Sequence, residues 1–386
     1  MTGVPRGDAL ALTAALVAVD SRNPSLAADG PGEAPAAERL ADSLREWGLE
    51  VEWHEHAQGR ISVVARAGRA AGGRSILLNG HLDTVGVDGM LHPPFTPTIR
   101  DGRLYGRGSA DMKAGVAAMA AAAVRAHDAG ANGEIIIAAV ADEEWESLGT
   151  RALLATGLRA DAAIVTEPTR LAIAPAHKGF AWAELMVRGR AAHGSRADVG
   201  IDAITGAAQV LTALEAAGRA SHGHRTHPLL GHPSWHAGTI AGGIGLSTYP
   251  DRCAVSLERR TLPGEDGRCF ADEIAAAIAA VRATTPTLDA TVTPGLIQQP
   301  NDLPVDHALV RTLETACRAA GWSAPVTGLS CWTDAALLTA AGIPALCFGP
   351  GDIALAHAAE EWVPVDDIHR ATDILTRAIH HWTTTA

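Results

Sequence analysis

The 386-residue sequence has no long apolar run and no recognisable targeting segment. A helix that spans a membrane needs ~18–20 consecutive apolar residues. The alanine-rich run 114–124 stops short of that length and is followed by charged residues. The amino terminus also lacks the basic, apolar and small segments of a cleavable signal peptide. We therefore expect a cytoplasmic protein with no membrane partner.

Basic residues are too few and too scattered for a nucleic-acid-binding protein. The chain has 31 Lys and Arg residues against 43 Asp and Glu residues, which gives a formal net charge of −12. A nucleic-acid interface needs clustered basic side chains that neutralise phosphates, and the sequence contains no such cluster. We therefore expect no nucleic-acid partner.

Cysteines are sparse, and their spacing excludes two common structural roles. The five cysteines are odd in number, lie far apart and never form a C-x-x-C pair. A disulfide framework is typical of chains with an even number of cysteines, and a thiolate zinc site ordinarily uses closely spaced cysteine pairs. The pattern is typical of a reducing compartment.

The first part of the chain alternates between strand and helix patterns. Hydrophobic residues make up 47% of the sequence, which is enough for a buried core. Helical patterns at 8–19, at 36–47 and from about 113 alternate with strand patterns at 49–55, 61–67, 75–78, 134–140 and 162–165. Such alternation predicts an α/β fold with a mostly parallel central sheet, covered by helices on both faces.

The pattern changes after residue 176 and returns to α/β after residue 294. Strand patterns at 180–187, 236–240, 252–258 and 289–292 and helical patterns at 202–217 and 270–284 predict a separate α+β unit with one antiparallel sheet. Helical patterns at 307–320, 333–341 and 366–382 and a strand at 344–348 then follow. We therefore predict one domain formed by residues 1–176 and 295–386, interrupted by a second domain at 177–294.

Histidines and carboxylates concentrate just after the predicted strands of the first domain. In open α/β sheets, binding sites are built at the carboxyl ends of the strands, where residues distant in the chain converge. Any one of these positions alone would ordinarily be a loop residue or a solvated helix start, but their joint placement favours a shared site. The residues that follow strands directly are His81, Glu144 and Glu167, while Asp111 closes the loop that leads into the helix starting at about 113, and His357 follows the GPG segment 349–351 after the last strand.

This set of side chains offers nitrogen and oxygen ligands without thiolate. Such ligands suit zinc best, with cobalt and manganese as alternatives. Two imidazoles, two terminal carboxylates and one bridging aspartate could hold two ions ~3.5–4 Å apart, as in bimetallic hydrolases. Asp83 lies two residues after His81, and we expect it to accept the N–H of the liganding imidazole.

Short motifs in a fixed order along nearly the whole chain carry a family resemblance. They are GHLDTV at 80–85, GRGSADMKAG at 106–115, DEE at 142–144, TEP at 166–168, RAAHGS at 190–195, ERRTLPG at 258–264, and GPG at 349–351 followed by His357. On these residues the chain resembles the M20 family of metallopeptidases and deacylases. The branch it is most similar to includes acetylornithine deacetylase and succinyl-diaminopimelate desuccinylase.

The resemblance implies a zinc-peptidase-like catalytic domain interrupted by a lid that also forms a homodimer. It implies two zinc ions per subunit, with Asp111 bridging both. His81 and Glu167 would complete one site, and Glu144 and His357 the other.

The resemblance also assigns roles beyond metal binding. Glu143 would be the general base that activates the water between the metals, and then the acid that protonates the leaving amine. His193, on the lid, would reach the partner subunit's site and stabilise the tetrahedral oxyanion. Arg260 would bind a substrate carboxylate, and Gly349 and Gly351 would line the substrate site.

The sequence departs from the family pattern at one place. Family members commonly carry an asparagine where this chain has Ser247 or Thr248, which affects the acyl or side-chain pocket and not the metal site. Our first hypothesis is an enzyme that cleaves a small N-acyl amino acid. The second is a peptidase for dipeptides or short peptides, and the third is a catalytically inactive metal-binding scaffold. The intact Glu143 counts against the third.

Overall fold

A computed structural model describes residues 3–68, 73–222 and 225–384, and the side chains at 220–222 are not considered. The helices are α1 (Ala9–Val17), α2 (Ala34–Glu46), α3 (Ala114–Asp128), α4 (Leu148–Ala155), α5 (Ala203–His222), α6 (Cys269–Thr284), α7 (Ala308–Ala319), α8 (Ala335–Ala340) and α9 (Val365–Thr384). A five-residue helical turn, Ser109–Lys113, leads into α3.

The strands are short and spread along the whole chain. They are β1 (Glu50–Ala57), β2 (Arg60–Ala67), β3 (Ile76–His81), β4 (Thr98–Arg100), β5 (Arg103–Tyr105), β6 (Ile135–Val140), β7 (Ala163–Val165), β8 (Ile173–His177), β9 (Gly179–Arg188), β10 (Ser234–Gly242), β11 (Arg252–Thr261), β12 (Asp289–Gln298), β13 (Asn301–Asp302), β14 (Val326–Leu329), β15 (Ala345–Cys347) and β16 (Trp362–Pro364).

The chain divides into two compact units. The first contains the chain up to Ala176, then Leu303–Thr327, and the chain from Thr333 onwards. The second contains His177–Asp302 and Gly328–Trp332. Among the described helices, none combines the length and the apolar character that crossing a membrane would require.

The first unit is built on a mixed sheet with a parallel centre. Its main path runs β1-β2-β6-β3-β7-β15-β8. The neighbours β6, β3, β7 and β15 pair in parallel, whereas β1 with β2, β2 with β6, and β15 with β8 pair antiparallel. Helices pack against this sheet, and the predicted α/β class is confirmed.

Burial explains the composition of the central elements. Every residue of β3 and β6 is buried, which is why these strands are continuous apolar runs rather than alternating ones. Helix α3 is buried around nearly its whole circumference, so its alanine-rich sequence serves close packing inside a domain. At Gly115 an added Cβ would clash with the carbonyl oxygen of Thr166, so the helix passes very close to the end of β7.

The second unit contains a four-stranded antiparallel sheet in the order β10-β11-β9-β12. Helices α5 and α6 contribute to its hydrophobic core, for example through Val210 and Ile274. Strand β9 alternates between buried residues and more accessible ones, as expected when one face of a sheet is covered. Strand β10 lies at the edge of the sheet, and most of its residues are exposed.

Candidate metal centre

Sheet topology brings three of the predicted site segments together. Strand β3 lies between β6 and β7, and all three run parallel, so their carboxyl ends meet at one edge. His81 ends β3, Glu143 and Glu144 follow β6 by three and four residues, and Glu167 follows β7 by two. The convergence expected from the sequence therefore has a direct cause in strand order.

Asp111 lies between the two predicted histidine ligands. Its Oδ1 is 3.1 Å from His81 Nε2, and its Oδ2 is 3.7 Å from His357 Nε2. His357 Nε2 also lies 3.0 Å from Glu144 Oε2. One carboxylate thus presents a different oxygen to each histidine, which is the arrangement that a bridging ligand needs.

Two overlapping groups of side chains could each hold an ion. Ligand atoms of His81, Asp111 and Glu144 lie within 4.8 Å of one another, and so do those of His81, Glu143 and Glu167. The structure therefore brings together the five predicted metal ligands and the predicted general base. Four carboxylates and two imidazoles make up this cluster.

The cluster contains more carboxylates than imidazoles and therefore has an excess of negative charge. Burial, and then the charge of Glu167, raise the pKa of Glu143 well above its usual range. Burial, and then the charge of Asp111, likewise raise the pKa values of Glu144 and Glu167. Divalent cations would relieve this repulsion, and the oxygen and nitrogen donors match the ligands that zinc, cobalt and manganese accept. The residues present therefore fit a metal centre.

The histidines respond to the same charges. Burial opposes protonation of His81, but its hydrogen bond to Asp111 and the nearby carboxylates outweigh burial and raise its pKa. The hydrogen bond to Glu144 raises the pKa of His357 to about 9. Both imidazoles therefore face acidic groups. A cation bound there would compete with protons for the imidazole nitrogens.

Asp83 is beside His81, but its contact differs from the one expected. His81 Nδ1 is 2.9 Å from the backbone oxygen of Asp83 and 3.6 Å from its carboxylate. The carboxylate instead accepts the backbone N–H groups of Glu143 and Glu144, each at 3.2 Å. The contacts of the carboxylate with the turn after β6 are therefore shorter than its contact with the imidazole.

A buried network behind Asp83 was not foreseen from the sequence. Asn23 Nδ2 donates to Asp83 Oδ2 at 2.8 Å and to Asp142 Oδ1 at 3.0 Å. Arg60 Nη2 donates to Asp142 Oδ1 at 2.6 Å and to Glu33 Oε1 at 2.7 Å. Asp142 has a φ of +68°, a strained conformation for a residue other than glycine, and these bonds hold it there. In the sequence, the DEE motif at 142–144 was the one feature that indicated polar residues at this place.

The two glycines predicted to line the substrate site occupy positions with different constraints. A Cβ at Gly349 would clash with the backbone oxygens of Thr166 and Glu167. Gly351 has a φ of +84°, which favours glycine. Both positions therefore need glycine for reasons of local geometry.

His193 and Arg260 belong to the second unit, whereas the metal cluster belongs to the first. His193 is exposed, and its Nδ1 lies 2.8 Å from the hydroxyl of Ser195. Arg260, on β11, donates from Nε to Glu258 Oε1 at 2.7 Å and lies over the ring of Phe180.

The segment that departs from the family pattern lies directly beside His193. The N–H of Gly194 donates to the backbone oxygen of Ser247 at 2.7 Å, and Thr248 forms an isolated β-bridge with His193. The substitution at this place therefore contacts the loop that carries His193.

Nitrogen and oxygen donors gathered at the carboxyl edge of an α/β sheet are the arrangement expected of a metal-dependent hydrolase. The family model described as Peptidase family M20/M25/M40 matches residues 77–381, and the chain belongs to this family. It is therefore an enzyme that hydrolyses amide bonds, as expected from the motifs.

Individual relatives are similar over most of their length. An acetylornithine deacetylase of Myxococcus xanthus is 33% identical, covering 84% of each chain. The fold is similar to that of aminopeptidase PepT from Bacillus cereus, with a TM-score of 0.79, 20% identity and coverage of 98% and 99%. It is also similar to the YXEP protein of Bacillus subtilis, described as a dinuclear metal-binding peptidase, with a TM-score of 0.73, 14% identity and 98% coverage of each.

Proposed function

We propose that this enzyme removes the acyl group from a small N-acyl amino acid, in the manner of acetylornithine deacetylases. The observation that carries the proposal is the placement of Glu143, whose carboxylate shares one cluster with His81 and Glu167. A general base must lie within reach of the water that attacks the amide. The 33% identity to an acetylornithine deacetylase supports the substrate class.

His81, Asp111, Glu144, Glu167 and His357 are the proposed metal ligands, for two ions with zinc as the first candidate and cobalt or manganese as alternatives. The two carboxylate oxygens of Asp111 face different histidines, which supports the proposed role of Asp111 as the bridging ligand. A divalent ion bound there supplies Lewis acidity, which lowers the pKa of water and polarises the amide carbonyl.

Glu143 is the proposed proton carrier. Its carboxylate takes a proton from the attacking water and later returns it to the nitrogen of the leaving amine. The Asp83 carboxylate accepts the Glu143 backbone N–H, so the side chain is presented from a fixed turn. Asp83 therefore acts through the backbone of the catalytic turn.

The segment 177–294 is proposed to be a lid and dimerisation domain. Strand β10 ends the order of the four-stranded sheet and pairs only with β11 among the described strands, and Ile240 on it is 59% exposed. Such an edge can pair with the same strand of a second copy. In that homodimer His193 would stabilise the oxyanion in the partner's site, and Arg260 would bind the substrate carboxylate.

A cytoplasmic location is part of the proposal. All five cysteines lie in the described chain and all are free thiols, as expected in a reducing compartment.

The experiment is amine release from N-acetyl-L-ornithine by zinc-loaded protein, with a chelator-treated sample as the control. We expect release that the chelator abolishes and added zinc restores. A panel of other N-acetyl amino acids and of dipeptides is assayed in parallel. Hydrolysis of dipeptides alone would replace the deacylase proposal by the peptidase one, and no hydrolysis by metal-loaded protein would contradict both.

A further inference from the structure

A buried glutamate near the metal cluster has a complete set of hydrogen-bond donors. Glu361 is inaccessible to solvent, and its Oε2 accepts from Arg107 Nη1 at 2.6 Å and from the N–H of Gly108 at 3.1 Å. Its Oε1 accepts the N–H groups of Ala110 at 2.9 Å and of Asp111 at 3.1 Å. One carboxylate therefore fixes the backbone of the loop that ends at Asp111.

This loop depends on an outside acceptor because of its conformation. Gly106 and Gly108 both have positive φ values, so the segment is neither strand nor regular helix. Buried backbone N–H groups need partners, and within a loop few are supplied by neighbouring residues. The carboxylate of Glu361 satisfies three of them at once, including the N–H of Asp111 itself.

Glu361 also connects this loop to the segment that carries His357. Strand β16 begins at Trp362, and its antiparallel register with β5 pairs Trp362 with Tyr105, directly before Gly106. Arg107 extends the connection by donating from Nε to the backbone oxygen of Gly86 at 3.0 Å. The Arg107–Glu361 pair thus lies where the segments of Asp111 and His357 meet.

We propose that Glu361 is a positioning residue that holds Asp111 between His81 and His357. It contacts the backbone of Asp111 rather than any ligand atom, so it acts on the metal centre through that residue. The inference rests on the proposed role of Asp111 as a bridging ligand. Partners that orient metal ligands typically change metal affinity about 10- to 100-fold when they are removed.

The substitution Glu361→Gln tests the carboxylate without changing its size. An amide has one oxygen acceptor in place of two, and its NH₂ group would face backbone N–H donors or Arg107. The N–H groups of the Asp111 loop would then lose partners inside the protein, so the loop should shift. Glu360→Gln is the matched control, because Glu360 is the neighbouring residue of the same type and is exposed.

The probe is Co²⁺ added to metal-free protein, followed by its visible absorption spectrum. For Glu361→Gln we expect the Co²⁺ dissociation constant to rise about 10- to 100-fold and the spectrum to change. At saturating metal we expect kcat to fall with KM little altered. Thermal unfolding of the metal-free variant shows how much of any change reflects stability alone. Glu360→Gln should match the unaltered protein in every measurement.

Each outcome has a defined meaning. If the unaltered protein binds Co²⁺ and Glu361→Gln binds it with the same affinity and spectrum, Glu361 has a structural role only and the inference is wrong. If the unaltered protein binds no Co²⁺, the proposed metal centre fails as well. If Glu361→Gln does not fold, the variant Arg107→Lys tests the inference instead. The lysine keeps the positive charge but cannot reach both Glu361 and Gly86. An unchanged Co²⁺ titration of Arg107→Lys would overturn the inference.

Discussion

Asn23 and Asp83 are joined by a hydrogen bond of 2.8 Å from the side-chain amide to the carboxylate, although 60 residues separate them in the chain. The same carboxylate accepts the backbone N–H groups of Glu143 and Glu144. Through this bond the first loop of the chain supports the turn that presents the general base and a metal ligand. The position of the turn that carries Glu143 and Glu144 therefore depends on this buried polar network.

Arg60 supplies the positive charge in that network, and its replacement should lower the free energy of unfolding. Its guanidinium bonds Glu33 and Asp142, and all three side chains are almost inaccessible. Arg60→Gln would leave two buried carboxylates without their counter-charge, so we expect unfolding to become easier by about 3–5 kcal/mol. Urea unfolding of the metal-free protein measures this change.

Arg66→Gln on the same strand is the control for Arg60. Arg66 pairs with Glu52 and Glu134, but those side chains are more accessible. We expect a loss of less than about 1 kcal/mol from this substitution. Equal losses for the two variants would show that the Arg60 network contributes no more than an ordinary surface ion pair.

Glu143→Gln should stop catalysis without emptying the metal centre. The amide cannot accept and return a proton, so we expect kcat to fall about 10²- to 10⁴-fold. The five proposed ligands are unchanged, so bound zinc, measured by elemental analysis, should stay within error of the unaltered protein. Glu146→Gln, an exposed position on the same turn, should leave both quantities unchanged. Loss of zinc from Glu143→Gln would mean that Glu143 is a ligand, as its proximity to His81 and Glu167 allows.

Gly115→Ala tests the close approach between α3 and β7. The added Cβ would clash with the carbonyl oxygen of Thr166, so either the helix or the strand end must move. We expect a loss of about 1–3 kcal/mol in the free energy of unfolding, as for other overpacked sites. Because Glu167 follows Thr166, metal affinity should fall too.

At Gly86 an added Cβ meets no atom within 4 Å, so Gly86→Ala is the control that should be neutral in stability. Unchanged stability and metal affinity in Gly115→Ala would mean that this contact is easily relieved.

Three of the proposed metal ligands, His81, Glu144 and Glu167, could be placed from the sequence because each lies at or just after the end of a strand with a clear apolar pattern. His81 and Glu167 need only the alternation of strands and helices to be placed at one sheet edge. The residues that support them carry no such signal. Arg107 and Glu361 are 254 positions apart, and only the pairing of β5 with β16 brings them together.

Short elements were missed for local reasons. Helix α4 (Leu148–Ala155) has only eight residues, which is too short for a clear helical pattern, although Ser147 before it is a residue type common at helix starts. Strand β8 (Ile173–His177) contains Pro175, and proline within a run argues against a strand. In both cases tertiary packing, rather than local sequence preference, determines the structure.

His193 provides the last prediction, which concerns both the oxyanion role and the proposed dimer. His193→Ala should lower kcat while bound zinc is unchanged, because the residue lies outside the ligand set. His369→Ala, an exposed histidine on α9, should have no effect. Metal loss in His193→Ala would contradict the assigned role.

Mixing two inactive variants separates a role in the partner's site from a role in the same subunit. In a mixed dimer, the Glu143→Gln subunit keeps His193 and the His193→Ala subunit keeps Glu143. If His193 acts across the dimer, one of the two sites then has both residues. Because random pairing makes half of the dimers mixed, co-refolded equal amounts should regain about a quarter of the unaltered activity. If each site uses its own His193, no mixed dimer contains a complete site and the mixture stays inactive.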